Sequence, residues 1–125
     1  MTFQINQTIE TSLFLTGKYK TNSVVPTTAT AYAKGDLVKI NSTTNVCTLA
    51  TSADDFDGIV IADHTAADST LLVTDGSKMQ VAIEGMFNVA ELKLSGVKLN
   101  SANQVKAMAK ANTSGKFVLQ EVVNG

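Results

Sequence analysis

The chain has 125 residues, a mass of 13.2 kDa and a net charge of −1 at pH 7, and 44% of its residues are apolar. This length fits one domain, and the apolar share is sufficient for a packed core, which excludes global disorder. All ten basic residues are lysine, and they form no dense cluster. Because phosphate and base recognition favour the bidentate arginine fork, we expect no direct binding of nucleic acid.

The first 31 residues differ in composition from the rest. They are rich in Thr, Asn and Gln, and they contain the single proline, Pro26. We therefore divide the chain into an extended N-terminal arm, residues 1–31, and one β-rich domain, residues 32–125. Two interpretations stay open, since Ile9 to Tyr19 can be a strand of the domain's own sheet or part of an arm that adds to a neighbour's sheet edge. The candidate contact residues of the arm are its spaced apolar side chains, Phe3, Ile5, Ile9, Leu13 and Leu15.

The segment after the arm predicts short strands. Gly35-Asp36 leads into the alternating run Leu37 to Ile40, and a turn cluster separates it from Val46 to Leu49, a pattern typical of a β-hairpin. Ile59 to Ala62 is a nearly continuous apolar run rich in β-branched residues, which indicates a central strand buried on both faces.

Two further strands are predicted beyond a polar loop. They are Thr70 to Thr74 and Met79 to Ile83, separated by a turn at Asp75-Gly76. Gly85 then permits a bulge or a close backbone approach before the strand continues into Met86 to Val89.

The segment 100–111 is ambiguous. Ser101 could cap a helix that places Val105, Met108 and Ala109 on one face, whereas a period of two would make the segment one arm of a hairpin. A last strand is predicted from Lys116 to Val123. The fold class is therefore mainly β, with at most one short helix near 100–111.

No pattern of catalytic or metal-binding residues is complete. One cysteine, Cys47, and one histidine, His64, cannot supply the ligands of a zinc site, and no nucleophile elbow accompanies His64. The acidic cluster Asp54 to Asp57 lacks the glutamate that ends a calcium-binding loop, because that position is Thr65. We expect no enzyme activity, no metal and no cofactor, and Cys47 is interpreted as a small apolar residue of a strand.

No secretory signal or membrane span is predicted. The N-terminus lacks a charged segment followed by a long apolar core, and no segment approaches the roughly 20 apolar residues that cross a bilayer. We therefore expect no membrane partner.

Three short motifs carry a resemblance. They are Gly35-Asp36-Leu37-Val38, then Gly58 to Asp63 (Gly-Ile-Val-Ile-Ala-Asp), then Glu84 to Val89 (Glu-Gly-Met-Phe-Asn-Val). In this order, over roughly residues 30 to 125, the chain resembles the small bacteriophage head decoration, or capsid cement, proteins.

This resemblance implies a β-tulip or β-barrel-like domain on the outer surface of an assembled phage head. It implies a homotrimer whose arm pairs with the major capsid protein, and synthesis in the host cytoplasm before incorporation into the virion. Two alternatives stay open: another virion structural subunit, such as a tail-tube or head-fibre component, or a small β module that binds a ligand.

Overall fold

The computed structural model describes residues 12–121. Within them the strands and helices follow one another along the chain as β1 (Phe14–Pro26), β2 (Leu37–Ile40), β3 (Val46–Leu49), β4 (Gly58–Val60), α1 (Ala66–Asp75), β5 (Met79–Asn88), a 3-10 turn (Val89–Glu91), β6 (Lys93–Leu94), β7 (Val97–Lys98), α2 (Ser101–Ser114) and β8 (Phe117–Gln120). The fold is mainly β, as the sequence predicts.

Six strands form one sheet in the order β1-β3-β2-β4-β5-β8. β1 also pairs antiparallel with β5, so the pairings of five strands close into a ring, and β8 lies outside it, parallel to β5. β6 and β7 form a separate two-stranded sheet. A barrel-like or β-tulip domain, as the resemblance implies, stays a prediction.

The predicted hairpin is confirmed, and the predicted central strand is confirmed at Ile59 and Val60, whereas Ile61 and Ala62 lie beyond the end of β4. β2 and β3 pair antiparallel, with Val38 opposite Leu49 and Ile40 opposite Cys47. β4 lies between β2 and β5, and all three of its residues are buried. A strand covered on both faces needs apolar side chains at successive positions, which explains the unbroken apolar run.

Two clusters of buried side chains lie on opposite faces of these strands. Leu37 and Ile59 belong to the larger cluster, which contains Phe87, Phe117 and residues of α2, whereas their neighbours Val38 and Val60 belong to the smaller one. Successive side chains of a strand point to opposite faces. Burial of each such side chain stabilises the fold by about 1.5–3 kcal/mol.

The strand predicted at Thr70 to Thr74 is wrong, because these residues lie in α1. A capping box starts the helix: the Thr65 hydroxyl accepts from the Asp68 N–H, and the Asp68 carboxylate accepts from the Thr65 N–H, both at 3.0 Å. The hydrogen bond from the Thr65 backbone lowers the pKa of Asp68. The helix ends at Gly76, a left-handed residue at φ 71°. These caps outweigh the β-propensity of the apolar run.

The ambiguous segment is the helix α2, and the hairpin alternative is wrong. The Asn100 side chain, rather than Ser101, caps it by accepting from the Asn103 N–H at 2.9 Å. α2 buries Ala107 and Ala111, small residues that allow close packing beside β8, and ends at Gly115. With α1 and α2, the described residues hold two α-helices, where the sequence predicted at most one.

The end of the predicted arm is a strand of the sheet. β1 pairs with β5 from Phe14 opposite Phe87 to Val24 opposite Met79, so the interpretation of a strand in the domain's own sheet holds for the described part of Ile9 to Tyr19. Residues 1–11 lie outside the described residues. The boundary at residue 31 stays a prediction.

Gly85 is a point of close approach between β5 and β1, as the sequence predicts. Its φ is 148°, and a Cβ at this position would lie 2.8 Å from Cβ of Tyr19 and 3.0 Å from the Phe87 ring. Side chains other than hydrogen are strained at this φ. The register shifts on both sides of Tyr19-Lys20: before Tyr19 the extra residues lie in β1, and after Lys20 the one extra residue, Ile83, lies in β5.

We predict that Gly85→Ala lowers the free energy of unfolding by more than about 1 kcal/mol, because it combines a strained φ with a steric clash. Urea unfolding followed by circular dichroism measures this. Gly17→Ala, in the neighbouring strand β1, is the matched control: a Cβ there has no neighbour within 4 Å. The control should change stability by less than about 0.5 kcal/mol. Equal effects of the two substitutions would contradict the assigned role of Gly85.

Candidate interaction surface

The first two motifs behind the resemblance are in contact, since the loop at Gly35 hydrogen-bonds to Val60. Gly35 has φ 99°, and a Cβ there would lie 2.5 Å from the Glu91 carbonyl oxygen. Its N–H donates to the Val60 carbonyl at 2.8 Å, and its own carbonyl accepts from the Lys93 N–H at 2.9 Å. A glycine is therefore required where the loop before β2 passes between β4 and β6.

The buried side chain of Asp36 hydrogen-bonds to the backbone of two loops. It is 1% exposed, and its carboxylate accepts from the Ala33 N–H at 2.7 Å and from the Gly96 N–H at 2.8 Å. Asp63 similarly accepts from the Lys34 N–H at 2.7 Å. Buried carboxylates need such donors, since an unpaired buried charge is costly. Asp36 and Asp63 of the motifs are thus structural.

Cys47 has the surroundings of a structural cysteine. It is fully buried in β3, and burial raises the pKa of its thiol from 9.0 to about 12. The Tyr32 hydroxyl donates to the Cys47 carbonyl at 2.8 Å, and this side-chain hydrogen bond also stabilises β3. Because the thiolate is the nucleophilic form, we expect this thiol to react slowly at neutral pH.

His64 and two acids of the cluster make local contacts within the fold. His64 is half-buried, and its N–H and carbonyl form an antiparallel bridge with Tyr32. Asp55 pairs with Lys39 at 2.8 Å, a hydrogen bond that lowers the pKa of Asp55, and Asp57 accepts from the Ile40 N–H at 2.8 Å.

Neither a metal cluster nor a membrane-spanning helix emerges from the described part of the chain. No three His, Cys, Asp or Glu side chains within residues 12–121 lie close enough to hold a metal ion. No helix in the same range is long and apolar enough to cross a bilayer.

The predicted arm contacts fall in two groups. Phe3, Ile5 and Ile9 lie outside the described residues. Leu13 is 4% exposed and packs in the larger core cluster, its carbonyl accepting from the Asn88 N–H at 2.8 Å, while Leu15 is half-buried. Their role in binding stays a prediction, with Leu13 placed where the arm joins the core.

An exposed sheet face crosses β1, β5 and β8. We call it the β1–β5–β8 face and define it by Lys20, Glu84, Met86, Lys116 and Val118. Lys20 lies opposite Glu84 in the register of β1 and β5, and their charged atoms are 4.0 Å apart. Met86 lies beside Val118, whose side chain is 48% exposed at the end of the sheet.

The charge of this face is positive although the whole chain is slightly negative. Lys116 precedes Phe117, which pairs with Gly85, and therefore falls beside Glu84 on the side away from Lys20. Two lysines thus lie near one carboxylate, of which Lys20 forms the ion pair, and Lys18 lines the same groove. The ion pair is well exposed, so it contributes little to stability and leaves the face open to an acidic partner.

Sequence reasoning missed the β1–β5–β8 face. The alternation from Phe117 to Gln120 does show that Val118 and Gln120 share a side, but the neighbours of that side depend on pairing between distant strands. Tyr19 lines the same groove, and the other large exposed apolar side chains are spread over α1 (Leu71 and Val73), β7 (Val97) and α2 (Val105), a distribution that is ordinary for a protein surface.

Comparison with known proteins identifies one family. The sequence model of the family described as structural cement protein (E217 gp24/Pam3 gp6), a family of phage proteins, matches residues 2–125. A search of curated proteins found no match.

We predict that Cys47 resists thiol reagents in the folded protein. At pH 8 it should react at least about a hundredfold more slowly than an exposed cysteine, because burial excludes the reagent and keeps the thiol protonated. The matched control is the variant Cys47→Ala with Thr48→Cys, which moves the thiol to the exposed neighbour on the same strand. Labelling is followed by mass spectrometry. Rapid labelling of native Cys47 at the rate of the control would contradict this description.

Proposed function

The chain belongs to the family of phage structural cement proteins, and on that premise we propose that it binds the outside of the assembled head, bridges major capsid protein subunits and stabilises the shell. The observation that carries the proposal is the family match over residues 2–125, nearly the whole chain. Its place in the phage capsid follows from the family; the outer surface and the bridging are our proposal.

Bridging suits the mechanics of a filled head. Packaged DNA presses outward, so neighbouring capsid subunits separate at their contacts, and a protein that spans a contact adds interface area there. A standard interface buries about 1,600 Å² in total. Because the shell repeats each contact by symmetry, several modest contacts made by one oligomer act together. The framework built on Gly35 and Asp36 supports a rigid bridge, since it ties loops to strands through buried hydrogen bonds.

We further propose that the arm is one of the contacts with the major capsid protein. Its apolar side chains Phe3, Ile5 and Ile9 would pack on the capsid while the backbone pairs with a strand there. Leu13 and Leu15 form the base of the arm, and the buried Leu13 fixes the direction from which the arm leaves the domain.

The oligomer that we propose is a homotrimer at three-fold positions of the lattice, acting without catalysis. The buried position of Cys47 in β3 and the backbone bridge between His64 and Tyr32 support a structural protein, because each meets a need of the fold itself. The absence of arginine from the sequence supports a protein partner rather than the packaged DNA.

The proposed function predicts saturable binding to assembled shells that were produced without this protein, and little binding to unassembled capsid protein. Co-sedimentation of the purified chain with such shells measures both. Saturation is expected because a lattice offers a fixed number of equivalent sites. Binding to free subunits as tight as binding to shells would contradict a role that depends on assembly.

Replacing Phe3, Ile5 and Ile9 by serine should weaken binding to the shells by at least about tenfold, since three apolar side chains lose their contacts. The matched control replaces Gln4, Gln7 and Thr8 by serine, which changes the same arm without removing apolar surface. Unchanged affinity of the apolar variant would remove the arm from the binding mechanism.

A further inference from the structure

The outer side of β8 is an unpaired sheet edge among residues 12–121. The sheet order ends at β8, whose partner is β5 over Gly85 opposite Phe117 to Asn88 opposite Gln120. An unpaired edge presents a row of backbone donors and acceptors to any extended segment that reaches it.

The hydrogen bonding shows which residues face outward. The Gly85 N–H donates to the Lys116 carbonyl at 3.1 Å, so Lys116 and Val118 direct their backbone groups toward β5. Successive residues of a strand alternate in this respect. Phe117 and Leu119 therefore direct their N–H and carbonyl groups to the outer edge, while their side chains are anchored in the core.

The edge of β8 differs from the other incompletely paired edge of the sheet. On its second side β1 is covered by β3 only at Val25 and Pro26, but two register shifts interrupt its pairing with β5, and the first of them bulges β1 between Phe14 and Tyr19. Bulges of this kind protect an edge from further pairing. β8 keeps an uninterrupted register over its four residues and contains no proline, so it retains the geometry that strand addition requires.

The charged side chains beside β8 indicate which kind of partner segment would fit this edge. At this end of the β1–β5–β8 face, Lys20 and Lys116 flank the single carboxylate of Glu84, and the next position along β8 on the same face is the exposed Val118. Side chains two residues apart share a face of a strand. A segment added beside β8 would therefore meet a lysine at one position and an apolar side chain two positions later.

Building on the proposed function, we infer that the outer edge of β8 accepts an extended acidic segment of a neighbouring shell protein as an added strand. An acidic side chain of that segment lies beside Lys116, and an apolar side chain two residues away covers Val118. The backbone groups of Phe117 and Leu119 provide the hydrogen bonds, which is strand addition to a sheet edge. This contact is separate from that of the N-terminal arm.

The test uses the full chain and shells assembled without it. Lys116→Glu and Val118→Lys should each weaken binding by at least about tenfold, the first through charge reversal and the second through loss of apolar contact. The binding of Lys116→Glu should also depend less on salt than that of the wild type. Lys78→Glu and Val97→Lys are matched controls at exposed sites outside this face, and their binding should stay within about twofold of the wild type.

Hydrogen exchange provides a readout that a change in fold alone would not mimic. The amides of Phe117 and Leu119 should exchange rapidly in the free chain and slowly on the shell. The amide of Val118, which faces β5, should exchange slowly in both states. Thermal unfolding of both variants should match that of the wild type, because neither substituted side chain lies in the core.

The outcomes separate the inference from the proposed function. A wild-type chain that does not bind shells overturns both. Wild-type binding with unchanged affinity of both variants, and no new protection of Phe117 and Leu119, overturns the inference alone. If the two variants abolish self-association in sedimentation while their shell affinity is unchanged, the edge pairs with a second copy, which also overturns it.

Discussion

The pairing of β1 with β5 is the constraint on which the rest of the structure depends. β5 pairs with β1, β4 and β8, so the ring of five strands and the strand outside it share one element. Closing the ring brings two backbones together at Gly85, where a side chain would meet Tyr19 and Phe87. The same crossing places Lys20 opposite Glu84. The packing of the core and the composition of the exposed face thus follow from one strand contact.

Local chemistry explains which elements could be predicted from the sequence. The β2–β3 hairpin and β4 have turn residues and apolar runs that determine them within a few positions. The sequence predicts a strand in place of α1 because Leu71, Leu72 and Val73 suit either structure. The caps at Thr65 and Gly76 stabilise the helix instead. The sequence of α2 is ambiguous because its buried residues are alanines, which give a weak hydrophobic pattern at both the helical and the strand period.

The proposed interaction surface is harder to predict than the fold. The motifs that carry the resemblance to cement proteins contain Gly35, Asp36 and Gly58, and these residues hold loops and strands together. They identify the scaffold without indicating where a partner binds. The β1–β5–β8 face combines residues that are up to 98 positions apart, Lys20 and Val118, so its charge emerges only when the strands are paired. The sequence of a cement protein can therefore reveal its family through the scaffold residues, whereas a candidate binding surface is found only from the structure.

The central claim is that this protein strengthens a shell by spanning its subunits. The most direct measurement heats DNA-filled particles, with the protein at full occupancy or absent, and follows DNA release with an intercalating dye. The account predicts that particles carrying the protein release their DNA at a higher temperature than particles without it. Identical release temperatures for particles with and without the protein would contradict the claim. A bound protein that does not raise the heat resistance of the shell would not act as cement.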